Sequence, residues 1–261
     1  MPDGEGTFDP RNAYHQRRRL SFGATADAYH RFRPSYPREA VEWALGTRPL
    51  EVAEIGAGTG LMTEVLIGAG HTVHAVEPDP GMCRQLVQLG SDRLTVLQGG
   101  AEDIPLDAAS VDAVASAQAF HWFDPARAVP EIARVLRPDG VVAIVWNVRN
   151  DDVAWVAALS QIVGRLDARS GTRDLGIPEL GSHFSPAEHA VFSHEQPLTP
   201  DTLVALVDTF SYVATSPERE SILDEVRDLA RTHPELAGRD TFALPYDTLV
   251  YRATLAAHAA A

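Results

Sequence analysis

The sequence predicts an α/β fold in which a parallel sheet is covered on both faces by helices. Short apolar runs alternate with helical patterns from about residue 50 to residue 146, the spacing of βαβ units. Gly- and Pro-rich breaks punctuate the alternation. The chain has 261 residues, 45% of them hydrophobic, enough to bury such a core without a metal or disulfide staple. Crossovers between parallel strands are right-handed, which leaves few topologies.

Helical patterning starts at Ala24 to Arg31, breaks at Arg33-Pro34 and resumes from Pro37 to Leu45. Leu50 to Ile55 is a short apolar run ending in glycines, hence a buried strand. Thr59 to Ile67 reads as a helix closed by Gly68-Ala69-Gly70. Thr72 to Val76 is a strand, Pro80 to Leu89 a helix, and Leu94 to Leu97 and Ser110 to Ser116 are further strands. Pro125 to Leu136 is a helix stopped by Pro138-Asp139-Gly140, before a strand from Val141 to Trp146. After Asn147 the pattern changes. Asp151 to Leu166, Pro200 to Phe210 and Pro217 to Thr232 are helical, His189 to His194 is a candidate strand, and Tyr246 to Thr254 a final one. Asp167 to Glu188 is broken by Gly, Ser and Pro. Residues 1–20 read as a flexible arm whose His15-Gln16-Arg17-Arg18-Arg19 run is a solvated tail, and residues 21–261 as one domain.

Composition removes several functions. The formal net charge is -14, from 22 basic and 36 acidic residues, so the surface repels phosphate backbones and nucleic acid is not an expected partner. A few local Arg residues can still receive a small anion. The chain contains no lysine, which removes Schiff-base and P-loop chemistry. Cys83 is the only cysteine, so no internal disulfide or cysteine zinc cluster forms, and a cytoplasmic location is expected. The start MPDGEGTFDP lacks a signal-peptide h-region, and no run of about 20 apolar residues offers a membrane span. No HExxH or His/Asp cluster suggests a metal.

The strongest local signal is Glu54-Ile55-Gly56-Ala57-Gly58-Thr59-Gly60, between the first strand and the next helix. Ligands of open α/β sheets bind at the carboxyl ends of strands, and glycines there let a ligand touch bare backbone. The next strand ends at Glu77, whose carboxylate is placed to accept both hydroxyls of a ribose. Two ligand classes fit. A dinucleotide site wants G-x-G-x-x-G, but the third position is Leu61 and the spacing is G-x-G-x-G. The acid at position 77 does not discriminate, because dinucleotide sites use one too.

EIGAGTG, HAVEPD, GGAEDIPL, VDAVASAQAFHWFD and EIARVLRPDGVVAIVWN occur in order. With them the sequence resembles the class I S-adenosylmethionine-dependent methyltransferases of the small-molecule, type 11 kind. FGATADAYHRFRPSYP and LPYDTLVYRATL resemble the branch that includes trans-aconitate methyltransferase-like proteins. The resemblance implies a doubly wound, seven-stranded, mostly parallel sheet (Rossmann-like) with a helical lid and an insertion, and a last strand antiparallel beside the fifth. It implies a cofactor half at about 21–148, and an acceptor-site insertion with C-terminal strands at about 149–261.

The resemblance also assigns residues. Glu54 and the loop Gly56, Ala57, Gly58, Thr59 and Gly60 would hold the methionine part of S-adenosyl-L-methionine. Glu77 would grip the ribose, Pro78 and Met82 would lie against the adenine, and Ala101 and Glu102 would line its edge. Ala117 and Gln118 would face the amino group or sulfonium. Relatives often carry Asp where this chain has Gly100, so Glu102 or backbone groups must serve the adenine amino group. Tyr29 and Arg33, on a segment that can fold over the cofactor, would meet its carboxylate, and Arg33 also suits an anionic substrate.

Methyl transfer is an in-line displacement for which a protein mainly supplies proximity and orientation. A carboxylate acceptor needs no base, while a phenol gains from one. His121, just after the fourth strand, is the candidate catalytic base, against a purely positioning role. Trp122, Trp146 and Asn147 are candidates for the acceptor side, with His183, Phe184, Phe210 and Tyr212 from the insertion and beyond. The expected function is methyl transfer to a small molecule, at a carboxylate or hydroxyl oxygen. The alternatives are an NAD(P)-dependent oxidoreductase and a cofactor-binding module without methyl transfer. Acceptor and oligomeric state are not legible.

Overall fold

The computed structural model describes residues 26–165 and 178–257. The arm expected at residues 1–20 lies outside them. Seven strands form one sheet in the order β3-β2-β1-β4-β5-β7-β6. In chain order they are β1 (Glu51–Ile55), β2 (Thr72–Glu77), β3 (Leu94–Gln98), β4 (Val111–Ala117), β5 (Leu136–Arg149), β6 (Glu188–Leu198) and β7 (Phe242–Thr254). β1 to β5 pair in parallel. β7 runs antiparallel beside β5, as expected, and pairs with β6 on its other side. The chain steps outward from β1 to β3, then crosses to β4 on the other side of β1, which opens a crevice at the carboxyl ends of β1 and β4.

Local chemistry sets the helices. Asp79 accepts hydrogen bonds from the N–H groups of Gly81 and Met82 and caps α4 (Pro80–Gln88), with Pro80 preset for its first turn. Asp124 and Pro125 repeat the device for α5 (Pro125–Val135). Thr199 and Thr202 form a capping box on α7 (Pro200–Asp208). The remaining helices are α1 (Ala26–Phe32), α2 (Arg38–Leu45), α3 (Leu61–Gly68), α6 (Ala154–Gly164), α8 (Ser211–Ala214) and α9 (Arg219–Thr232). No helix among the described residues is long and apolar enough to cross a membrane.

The central strands are apolar on both faces, as a covered parallel sheet requires. On one face Ile55, Val114 and Ile144 pack with Ile132 of α5 and with Trp146. On the other, Val52, Val73 and Val145 pack with Ala40 and Val41 of α2 and Leu66 of α3. A third core joins α6, α7, α8 and α9 to Phe242, Leu244 and Tyr246 of β7. It forms a helical cap at the end of the sheet where β5 finishes.

The largest departures from the expected boundaries are at α5 and β5 and at β6 and β7. α5 ends at Val135, and strand pairing begins at Leu136, before the expected stop. The register then jumps from Val111↔Leu136 to Ala113↔Val141, so Pro138, Asp139 and Gly140 bulge out of the strand instead of ending the helix. Asp139 takes φ 63, the left-handed turn that this bulge needs. β6 and β7 are also longer than their apolar runs, because they pair continuously from Glu188↔Arg252 to Leu198↔Phe242.

Gly60 caps α3 at φ 97. A Cβ there would lie 2.7 Å from Leu89 Cδ1 and 3.0 Å from Leu86 Cδ2. Gly60→Val is expected to destabilise the fold by about 2–4 kcal/mol, combining left-handed strain with overpacking. Urea unfolding checks this as a lower midpoint at an unchanged slope.

Candidate functional site

β1 and β2 carry two acids to the same end of the sheet, and the glycine loop lies between them. Glu77 is buried, with one carboxylate oxygen 2.9 Å from the N–H of Gly58 and the other 2.9 Å from the N–H of Asp79. The carboxylate therefore points at the loop. Gly58 sits at φ 59, and a Cβ there would meet only Met82 Sδ at 3.9 Å, so the loop presents bare backbone with room beside it. Met82 is buried against this surface, and Pro78 is half-buried beside Glu77. Thr59 leaves its hydroxyl buried without a partner among the described residues.

Glu54 is 1% exposed and receives one hydroxyl, from Thr63 at 2.5 Å. Burial pushes its carboxyl up to about 8; the Thr63 hydrogen bond opposes this, and the charge of Glu77 adds to it. Thr63 lies in the first turn of α3, and no signal in the sequence marks it as the partner of Glu54.

The segment from α1 to Tyr36 straps across this end of the sheet. His30 Nδ1 lies 3.1 Å from the carbonyl of Thr59, which ties α1 to the glycine loop. Asn147 Nδ2 donates to the carbonyl of Ser35 at 2.9 Å, and His194 Nε2 lies 3.1 Å from the same oxygen. Gln196 Nε2 donates to the carbonyl of Phe32 at 2.8 Å. The Arg33 guanidinium carbon sits 4.8 Å from the Tyr29 ring centroid and 4.7 Å from that of Phe210. Burial raises the Tyr36 phenol well above its ordinary value; Tyr29 and Glu54 add to the rise, and Arg33 opposes it. Tyr29, Arg33, Tyr36 and Glu54 are thus one neighbourhood.

Ala101 is buried in the core, so only its backbone can meet a ligand. Glu102 accepts from the N–H of Asp124 at 3.0 Å, at the start of α5. Arg134 donates to the carbonyls of Ile104 and Leu106, and its partner Glu131 accepts from the N–H of Ile104. This pair on α5 pins the loop after β3. Ala117 ends β4 and Gln118 follows it. Gln118 is held at φ 55 and donates from Nε2 to the carbonyl of Asn147 at 2.9 Å, so the ends of β4 and β5 are tied together.

The acceptor-side candidates separate. His121 is exposed, with its ring 4.8 Å from the half-buried Trp122 ring. Trp146 points into the core against Tyr251, while Asn147 faces the other side of the sheet and spends its amide on Ser35 and Thr248. Phe210 and Tyr212 belong to the cap, their ring centroids 5.5 Å apart. His183 and Phe184 are a correction. The carbonyl of His183 accepts from Ala256, and Phe184 bridges to Leu255, beyond the β7 residue that pairs with Val141. They lie at the amino-terminal end of β5, opposite the site. Arg149, Tyr246, His194 and Gln196 reach the site end without having been expected there. The alternation of polar residues along β6 hinted at the last two, but one strand cannot reveal its neighbour's register.

Residues 53–144 match the family model described as "Methyltransferase domain". An uncharacterized methyltransferase of Mycobacterium tuberculosis is 46% identical over 239 residues, covering 91% of this chain and 96% of that protein. An uncharacterized methyltransferase-like protein of Schizosaccharomyces pombe is 33% identical over 234 residues, covering 85% and 91%. A solved putative type II methyltransferase from Anaeromyxobacter dehalogenans superposes with a TM-score of 0.65 at 27% identity, covering 85% of this chain and 97% of that one. These three are methyltransferases by name, and the oxidoreductase alternative gains no support from them.

The raised Glu54 carboxyl has a consequence for stability. The folded state keeps a proton that the unfolded chain releases near pH 4.5, so the associated stability is complete below that pH and is lost as pH rises towards about 8. Glu54→Gln removes this dependence. The variant is expected to match the parent's melting temperature near pH 4.5 and to exceed it by several degrees at pH 8.5, read by thermal unfolding across pH.

Proposed function

The chain belongs to the class I S-adenosylmethionine-dependent methyltransferases, and on that premise we propose that it methylates an oxygen, carboxylate or hydroxyl, of a small molecule. Its cofactor is S-adenosyl-L-methionine. The observation that carries the residue assignment is the Glu77 carboxylate aimed at the open backbone of Gly58. A carboxylate has about four acceptor sites, so one that accepts from backbone N–H groups can also receive the hydroxyls of a ribose. The buried Glu54 carboxyl and the unpartnered Thr59 hydroxyl give the loop polar groups that a ligand would satisfy.

On this reading Glu77 orients the nucleoside, Pro78 and Met82 flank the adenine, and the backbone of Ala101 with Glu102 lines its edge. Glu54 and the Gly56 to Gly60 loop hold the methionine part. Tyr29 and Arg33 close over its carboxylate, and Ala117 and Gln118 face the sulfur. When bound, the cofactor supplies a methyl group on a sulfonium, whose sulfur keeps the bonding pair as an acceptor oxygen takes the methyl. The strap excludes water from the reacting end, and the tie between Gln118 and Asn147 fixes the wall behind it. His121, beside Trp122 at the rim, takes the proton when the acceptor is a hydroxyl, and a carboxylate leaves it idle.

Glu77→Ala is expected to weaken S-adenosylhomocysteine binding by about 1–3 kcal/mol, through the loss of charge-assisted hydrogen bonds. Calorimetry reads this, and unchanged affinity takes Glu77 out of the seat. With a hydroxyl acceptor, His121→Ala is expected to lower kcat by roughly 10²-fold or more, at unchanged S-adenosylhomocysteine affinity. Equal losses in both quantities make it a positioning residue.

A further inference from the structure

We propose that His194 of β6 is a positioning residue: its neutral imidazole latches the strap over the cofactor seat, and its protonation releases the strap. The inference rests on the methyltransferase reading and adds a proton-linked control of the same site.

The strap has little main-chain support of its own. The N–H of Arg33 bonds back to the carbonyl of Tyr29, and the N–H of Ala40 bonds to the carbonyl of Pro37 where α2 begins. Between them, Pro34 has no N–H to offer. Side chains hold the strap instead. Gln196 Nε2 donates to the carbonyl of Phe32 at 2.8 Å. Asn147 Nδ2 and His194 Nε2 converge on the carbonyl of Ser35, at 2.9 Å and 3.1 Å.

The two donors on Ser35 respond differently to pH. Asn147 Oδ1 accepts from the hydroxyl of Thr248 at 2.6 Å, which turns its amide N–H towards the strap at any pH. His194 can hold a carbonyl only through an N–H, so its Nε2 carries the hydrogen. Its Nδ1 then bears a lone pair, and that atom is buried with no hydrogen-bond partner among the described residues. A neutral ring tolerates this position. A protonated ring places an N–H and a charge there, with no acceptor to take them.

Register sets the surroundings. His194 pairs with Tyr246 of β7, and Tyr246 pairs with Arg149 of β5, so the three form one row across the sheet. The His194 and Tyr246 ring centroids are 5.6 Å apart. Further charged and titratable groups are Asp247 on β7, Arg33 and Tyr36 in the strap, and Glu195 on β6 itself. Of the helices packed against β6, α2 carries Glu39 and the paired Arg38 and Glu42, and α7 carries Asp201 and Asp208. Burial holds the imidazole below its ordinary value, and the charge of Asp247 opposes this without overcoming it.

The sign follows from linkage. The latched strap takes up this proton less readily than a released one in which the ring meets water. The latch is therefore at full strength above the ordinary value of 6.5 and weakens as pH falls below it. His30, which ties α1 to the glycine loop, behaves otherwise. Its Nε2 lies 3.8 Å from Glu64 Oε2, so a proton there meets an anion. The strap carries Tyr29 and Arg33 to the methionine carboxylate, so release of Ser35 is felt as lost cofactor affinity. His194 touches no reacting atom and acts through the strap.

The test uses the full chain. Calorimetry reads S-adenosylhomocysteine affinity from about pH 7.5 to about pH 5.5, and amide hydrogen exchange of residues 26–37, corrected for the intrinsic pH effect, is followed over the same range without ligand. Wild-type protein is expected to lose affinity about fivefold towards acid, against a ceiling of about tenfold for one such proton, with a matching fall in strap protection. His194→Gln keeps an N–H for Ser35 but takes up no proton. It is expected to bind within about twofold of wild type at the neutral end and to change less than about twofold across the range. His194→Ala has no donor and is expected to bind about threefold weaker at the neutral end, with faster exchange at both ends. A Gln variant that keeps the wild-type loss in acid overturns the proposal, by giving the proton to another group. Strap protection in wild type that does not change with pH also overturns it, as does an Ala variant with wild-type affinity and protection. Should the Ala variant fail to fold, the Gln variant decides. Wild-type protein that binds no S-adenosylhomocysteine defeats the cofactor assignment, and the exchange measurement then judges the latch by itself.

Discussion

The hydrogen bond from the N–H of Gly58 to the carboxylate of Glu77 is the contact on which the site depends. It joins the loop after β1 to the end of β2 and fixes how far apart the two stand. A buried carboxylate requires partners, and here main-chain N–H groups supply them. Because those donors belong to the backbone, the loop stays free of side chains on the side where Gly58 is open. Glu54, one strand away, meets the same problem with a single hydroxyl and is driven towards its protonated form. The same end of the sheet thus holds one acid satisfied by main chain and one kept protonated by burial.

The acceptor side is organised differently. Around the glycine loop, short-range chemistry places the groups: a turn, a cap at Asp79, a strand end. Beyond β5 the groups come from α1, β5, β6, β7 and the α7–α8 junction, and only tertiary pairing brings them together. Three side chains from β5 and β6 grip the carbonyls of Phe32 and Ser35, so this part of the strap is fastened through its backbone, while His30 ties its start to the glycine loop through a side chain. Asn147 does double service, since its side chain fastens the strap and its carbonyl holds Gln118.

That contrast explains what the sequence reveals. β1 to β5 and their helices were legible because each carries its own punctuation: Gly68-Ala69-Gly70 after α3, Asp79-Pro80 before α4, Asp124-Pro125 before α5. Gly56 to Gly60 and Glu77 were legible for the same reason, as features of single loops. The bulge at Pro138 to Gly140 was misread as a helix stop, because Pro and Gly mark both events and only pairing with β4 distinguishes them. The row of Arg149, Tyr246 and His194 was invisible, because it exists only in the register of three strands drawn from distant parts of the chain. His183 and Phe184 failed as acceptor residues for a related reason: they were attached to the right segment but to the wrong end of the sheet.

The most direct test of the account is a crystal structure of the protein with S-adenosylhomocysteine. The account predicts the ribose hydroxyls on the Glu77 carboxylate, the amino-acid end over Gly56 to Gly60 beside Glu54, and the sulfur turned towards Gln118 and the strap. A nucleoside seated elsewhere, or a Glu77 that makes no contact with the ligand while the ligand lies outside the loop, would contradict it.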